Sequence, residues 1–315
     1  VDPDTVAKAE ALLATLPSRK LAPPADFPLR SPAALCPGRN PLFVGRRAAL
    51  LRLAGALRQP RGAAVVHGLP GVGKTQLAAE FVHRYGQFFA GGVFWLNFAD
   101  PAGVPLAVAG CGGAGALELR PDFQSLDLEA RVKTVLAAWL GPLPRLLVFD
   151  NCEDPALFAA WQPRTGGCRV LVTARRGTWD AALGLDDVPL DVLQPAESVD
   201  LLRRHRPDLP ADGPWLPQIA AELGGLPLAL HMAGAYLKRY QHDVTPDAFL
   251  HELRRPDLLD HLALTAANDY SPTGHDPHVA RTFALSYDRL DPTVPADALA
   301  LRTLARAACF APGLP

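Results

Sequence analysis

The stretch VVHGLPGVGKTQLAAEF, residues 65–81, constrains the fold more than any other part of the chain. It starts as an apolar strand, breaks at Gly68, Gly71 and Gly73, and continues as a helix from Lys74. Glycines at this spacing let successive backbone N–H groups curl inward. The following helix adds the positive end of its dipole. The result is an anion cradle, and the spacing G-x-x-x-x-G-K-T suits a phosphate chain. Within it Lys74 is expected to bridge the β- and γ-phosphates and the Thr75 hydroxyl to ligate Mg²⁺, with Val72 and Gln76 beside them. The bland alternative is an ordinary glycine-rich strand-to-helix turn. Lysine occurs only at positions 8, 20, 74, 133 and 238, so a lysine inside the loop weighs against that alternative.

The surrounding pattern alternates. Short apolar runs at 63–67, 92–98, 145–150, 169–174 and 188–193 are separated by helical segments at 74–85, 127–140 and around 155–161. Apolar runs between helices read as buried parallel strands, hence an α/β fold with helices on both faces of one sheet. After 194 the strand pattern ends, and 196–206, 216–240, 246–254 and 279–290 all read as helical. The expected organisation is a helix at 4–16 with a Pro-rich linker (1–41), a nucleotide-binding α/β domain (42–193), an all-α domain (194–277) and a further unit beginning at 278–315. The linker reading rests on seven prolines between 17 and 41. The chain shows no internal repeat.

A Mg²⁺ site needs an acidic contributor, and RLLVFDNCED supplies one. Four apolar residues run into Asp150 at the end of a strand about 75 residues after the loop. A plain strand end with a capping aspartate is the alternative. VLVTARRG ends another strand at Arg175 and Arg176, where a guanidinium could reach phosphate. By spacing alone, a solvated pair of charges in a loop is the preferred reading there.

Net charge is −1, so no global field draws the chain to nucleic acid or a membrane. Five scattered cysteines without C-x-x-C spacing suit a reducing cytosol, and the acidic start has no leader-like apolar segment. The longest apolar stretch, 105–117, falls short of the roughly 20 residues a bilayer span requires. A cytoplasmic location is therefore expected, without direct membrane or nucleic-acid binding. The chain starts at Val1 and ends in APGLP, which closes no element, so it is expected to be part of something longer. His275 and His278 form the tightest histidine pair, but no carboxylate or cysteine set completes a metal shell. Acidic neighbours argue against a reactive Cys152 thiolate.

Further motifs follow one another in a familiar order. FVGR (43–46), the glycine loop, LLVFDN (146–151), LVTAR (171–175), GGLPLAL (224–230) and FALSYDRL (283–290) together resemble the STAND class of P-loop ATPases, the NB-ARC type in particular. The resemblance covers 42–315. It implies a P-loop NTPase parallel sheet flanked by helices, an all-α lid domain and the start of a winged-helix domain. It implies a sensor strand lying between the P-loop and Asp150 strands. It implies adenine held by Phe43, Val44 and Gly45, with Arg46 near the base or phosphates and Pro227 packed on adenine from the lid. It gives Arg175 the role of sensing the terminal phosphate. The implied function is an ATP/ADP switch in signalling, innate immunity or regulation. ADP would lock it, and Mg-ATP would let it open and self-associate. An effector domain would precede it and sensor repeats would follow.

The chain departs from the pattern at Arg47, where an acidic residue is usual, and at Asn151, where a second carboxylate is usual. Asn151 can orient a water but cannot take its proton, and the next helix is expected to carry Glu153 and Asp154 away from the site, so weak, slow ATP hydrolysis is expected, with Lys74, Asp150, Asn151 and Arg175 as the reacting-site residues. The rival reading is an energy-transducing AAA+ or origin-type ATPase acting on DNA, which calls for a glutamate beside Asp150 and basic patches. A P-loop kinase is a third possibility, but it would have a short lid rather than GLPL followed by more helices.

Overall fold

A computed structural model describes residues 36–59, 61–210, 213–255, 282–283 and 285–308. The expected helix at 4–16, most of the Pro-rich segment, the His275/His278 pair and part of the 279–290 stretch lie outside these residues. Strands β1 (Ala63–His67), β2 (Val93–Asn97), β3 (Arg145–Asp150), β4 (Cys168–Ala174) and β5 (Leu185–Pro189) form one sheet in the order β2-β3-β4-β1-β5. Every neighbouring pair is parallel. This is the P-loop NTPase sheet, and β4 lies between β1 and β3, as the resemblance implies.

Burial on both faces explains the unbroken apolar strands. β1 sends Ala64 and Val66 into one core and Ala63 and Val65 into the other; β3 divides Leu146 and Val148 from Leu147 and Phe149. Among the covering helices are α1 (Arg47–Arg58), α2 (Lys74–Tyr85), α3 (Val104–Gly110), α4 (Leu128–Trp139) and α5 (Pro155–Trp161).

The helical part contains α6 (Pro195–His205), α7 (Trp215–Glu222), α8 (Pro227–Arg239), α9 (Pro246–Leu253) and α10 (Pro295–Ala308). Helices α5, α6, α8 and α9 each open on a proline near the first position, where its missing N–H removes no helical bond. The apolar core on the α1–α2 face runs without a break into these helices through Leu190, Leu193, Leu201 and Leu226.

Two expectations need correction. The last strand is Leu185–Pro189, not 188–193. It is an edge strand with Asp186 and Asp187 exposed, so its apolar signal is weak and is shifted towards the chain that follows it. The 216–240 stretch is two helices. Gly224 and Gly225 both take positive φ (58° and 65°), which ends α7 and turns the chain into α8.

Candidate functional site

The loop between β1 and α2 has the backbone its glycines allow: φ is 151°, 74° and 94° at Gly68, Gly71 and Gly73. Gly73 is the N-cap of α2 in a left-handed conformation, and Leu77 N–H already donates to its carbonyl at 2.8 Å. The loop N–H groups and the α2 N-terminus therefore meet at one place. The Lys74 ammonium folds over the loop and donates to the carbonyls of Gly68 and Leu69, both at 2.9 Å. Burial pulls its pKa down. The charge of Glu153 opposes this, Arg175 adds to it and Asp150 opposes it.

Asp150, at the end of β3, is 7% exposed and held from two sides. Thr75 Oγ1 donates to its Oδ1 at 3.0 Å, and Thr173 Oγ1 on β4 donates to the same oxygen. Asn151 N–H in turn donates to Thr173 Oγ1 at 3.0 Å. Asn151 itself has φ 58°, a conformation asparagine tolerates better than most residues. The Thr75 hydroxyl and Asp150 carboxylate are hard oxygen donors side by side. Magnesium commonly takes one or two protein carboxylates and completes its shell with phosphate oxygens and water, so this pair fits it. Among the described residues no group of three His, Cys, Asp or Glu side chains could hold a metal.

A cavity of about 550 Å³ opens over the loop. Phe43, Val44 and Arg46 line it; Gly71, Val72, Gly73, Lys74, Thr75 and Gln76 form its floor; Asn151 and Arg175 also line it, from the ends of β3 and β4, and Pro227 from α8. The lid touches the loop directly: Leu228 N–H donates to Gly71 O at 3.2 Å. Three expected site residues are not in the lining. Asp150 lies beneath it, behind Thr75. A Cβ on Gly68 would meet Leu190 O at 2.3 Å, so this glycine serves close backbone packing. A Cβ on Gly45 would lie 2.0 Å from Glu197 Oε1, so Gly45 makes room for a lid carboxylate.

Arg46 lines the cavity and makes further contacts of its own. It has φ 62°, and its N–H donates to Glu197 Oε1 at 3.2 Å. Its guanidinium donates to the carbonyls of Asp191, Val192 (3.4 Å) and Val72 (3.1 Å). It fastens the loop to the connection between β5 and α6. Burial lowers its pKa, while Glu197 and Asp191 oppose the shift. Glu197 also accepts the Gln194 N–H at 3.1 Å through its other oxygen, so one carboxylate caps α6 and receives the FVGR turn.

Glu153 was expected to be carried away by α5. Instead its carboxylate accepts the Arg175 N–H (2.8 and 3.0 Å) and the Arg176 N–H (3.3 Å), and lies 3.5 Å from Arg175 Nε. It binds the β3 end to the β4 end beside Lys74. The Arg175 side chain is 71% exposed. Sequence reasoning also missed Asn40, Leu193, Leu201, Leu228 and His231 in the lining. Leu228 belongs to the GGLPLAL stretch beside Pro227, whereas Leu201 and His231 lie on lid helices where only helical phase, not a motif, could have selected them. Segment 36–40 is fixed to the loop helix by Arg39, which binds Glu80 at 3.2 and 3.3 Å. Burial alone would raise the Glu80 pKa. Bonds and charge from Arg39 and Arg84 outweigh burial and lower it. Burial, with Asp154 and Glu153, pushes the Cys152 thiol up to about 12, so it is inert.

No protein-family model matches the chain. It is similar to the regulatory protein AfsR of Streptomyces griseus, 30% identical over 300 residues, which cover 87% of this chain and 28% of that protein. It is also similar to the regulatory protein AfsR of Streptomyces coelicolor, 28% identical over 278 residues, covering 83% and 26%. The chain thus spans little more than a quarter of the length of these relatives. Among solved structures, a STAND protein with a tetratricopeptide repeat sensor from Pyrococcus horikoshii is 17% identical, with TM-score 0.42 over 78% of this chain and 40% of that one. Cdc6p from Pyrobaculum aerophilum is 13% identical, with TM-score 0.48 over 84% and 88%. Among the described residues no helix is long and apolar enough to cross a membrane.

Proposed function

We propose that the chain is the nucleotide switch of a larger STAND-type regulatory protein and binds ADP and Mg-ATP between the loop and the lid. The observation that carries this reading is the Leu228–Gly71 hydrogen bond across a cavity floored by the phosphate loop. A ligand on the loop must either accept this closed arrangement or displace the lid. The regulatory names of the two relatives suit a switch.

In this reading the loop N–H groups and Lys74 hold the phosphates, with Lys74 exchanging its loop carbonyls for them. Mg²⁺, held by Thr75 and Asp150, would neutralise charge between the β- and γ-phosphates. Phe43 and Val44 line the base end, and Pro227 packs on adenine. Arg175, set by Glu153, reads the terminal phosphate. Asn151 orients a water without accepting its proton, so hydrolysis is slow. ADP keeps α8 on the loop. Mg-ATP shifts the balance to an open state that self-associates. Output comes from an effector domain ahead of the chain, and the trigger from sensor repeats behind it.

Calorimetry with ADP and with Mg-ATP, followed by light scattering on each complex, tests the proposal. Binding of both, with a monomer in ADP, is the expected result. Absence of binding to either nucleotide overturns it. The rival, a DNA-acting motor, draws support from the carboxylate of Glu153 beside Lys74. Turnover of several per second would favour that rival.

A further inference from the structure

Gly234 is out of place in α8. Glycine inside a helix costs about 1 kcal/mol relative to alanine. A Cβ there would lie 2.4 Å from Cδ2 and 2.7 Å from Cγ of His205, the last residue of α6. The imidazole of His205 thus occupies the space of a missing side chain and is 6% exposed. From that seat its Nε2 lies 3.2 Å from Nδ1 of His231, with ring centroids 4.9 Å apart. His231 follows Pro227 by four residues, so both lie on one face of α8, and both line the cavity.

The protons can be followed through the pair. Burial, then His231, then Lys238, pull the His205 pKa down to about 4, so its ring is neutral near pH 7 and carries one N–H. With that proton on Nε2, His205 donates to His231 Nδ1. With its Nδ1 accepting, His231 carries its ring proton on Nε2, the nitrogen left for the cavity. The reverse arrangement would leave a lone pair at that atom. A phosphate oxygen only accepts, so a nucleotide selects the first arrangement.

We propose that His231 is a nucleotide-contacting residue of the lid, donating from Nε2 to a phosphate or ribose oxygen, and that His205 is the positioning residue that orients it. The proposal rests on the reading of the cavity as a nucleotide site. It gives the lid a polar contact with the ligand beside the apolar one of Pro227. The contact exists only while α8 stands over the loop, so His231 rewards closure.

The test is ADP calorimetry on the whole chain as wild type, Lys74→Ala, His231→Ala, His231→Gln and His205→Gln, with ¹⁵N spectra of the imidazoles. His231→Ala is expected to weaken ADP about tenfold, as for one hydrogen bond to a charged acceptor. His231→Gln keeps a donor at a similar reach and should recover most of the loss. The His231 Nε2 resonance should move on adding ADP. The loss from His205→Gln should vanish when His231 is already alanine, because the two act as one unit. A loss confined to ADP assigns the contact to phosphate; one shared by adenosine assigns it to ribose. Unchanged affinity in His231→Ala, with binding abolished in Lys74→Ala, overturns the proposal and leaves the nucleotide site standing. A loss that His231→Gln does not recover, with a fixed Nε2 resonance, is structural and overturns it too. No nucleotide binding by the wild type removes both readings.

Discussion

The two walls of the cavity are built in opposite ways. The floor is one contiguous run, Gly71 to Gln76, whose shape is fixed by its own glycines and by the helix it starts. The lid wall is Pro227, Leu228 and His231, brought from more than 150 residues away and held by the Leu228–Gly71 bond, the Arg46 clasp and the seat of His205 on Gly234. A local wall binds whatever fits its backbone. A remote wall can leave, so its contacts report state. Strength belongs on the first and discrimination on the second.

That contrast sets the largest expected difference. On the proposed reading Lys74→Ala removes a charge-assisted contact to phosphate, and it should weaken ADP by about 100-fold or more. Pro227→Ala removes only part of an apolar face and should cost about fivefold. Parallel calorimetric titrations check both. Equal losses would mean that the lid binds as strongly as the loop, and the division of labour would fail.

The next effect concerns chemistry on the floor side. Turnover should be well below the roughly 10 s⁻¹ of a median enzyme, measured as steady-state phosphate release. Asn151→Asp should raise it severalfold, because aspartate tolerates the positive φ at this position and can accept a proton. An unchanged rate would shift attention to Glu153, two residues on.

These residues also show how much the sequence disclosed. The loop, Asp150 and the strands β1, β3 and β4 were legible because each is set by local pattern: a glycine spacing, a strand end, an apolar run; the place of β4 beside β1 came from the family resemblance instead. Even the bounds of α2, Lys74 to Tyr85, were readable. Glu153 was misplaced because the turn after Asn151 brings its carboxylate back onto the β4 end, a matter of one left-handed residue. The contacts of Arg46 were not legible, because three backbone carbonyls accept from its guanidinium and no pattern announces a carbonyl. His205 and His231 carry no motif at all; only Gly234, read together with the packing of α6 on α8, reveals them.

Arg46 ties the two walls together, so its loss should be felt by both. Arg46→Ala leaves the carbonyls of Val72 and Asp191 without their guanidinium partner. Each such loss costs about 1 kcal/mol, a little more where water cannot replace it. Urea unfolding should show a stability loss of about 2 kcal/mol. ADP affinity should fall as well, because the loop and lid are no longer fastened. A variant as stable as the wild type would mean that the apolar core running from α1 into α6 holds the walls together unaided.

The smallest effect separates the walls by acid. The folded-state pKa of His205 is about 4, against an ordinary value of 6.5, with burial as the main cause and the charges of His231 and Lys238 behind it. Between those two values the unfolded chain binds a proton that the folded chain refuses. Stability therefore rises with pH across this window: the contribution is fully present above about 6.5 and is lost as pH falls towards 4. The slope from one such group is at most about 1.4 kcal/mol per pH unit. Glu80, Asp122, Asp208 and Asp291 have lowered pKa values, so their contributions are lost mostly below about pH 5. Urea midpoints from pH 7.5 to 5.0 should fall in the wild type and fall less in His205→Gln, whatever the variant's absolute stability. Amide exchange should locate the loss: α6 and α8 should open earlier than β1 and the first turn of α2. Parallel slopes in the two proteins would show that His205 is not the acid-sensitive group. Uniform loosening of floor and lid would show that the two walls respond as one.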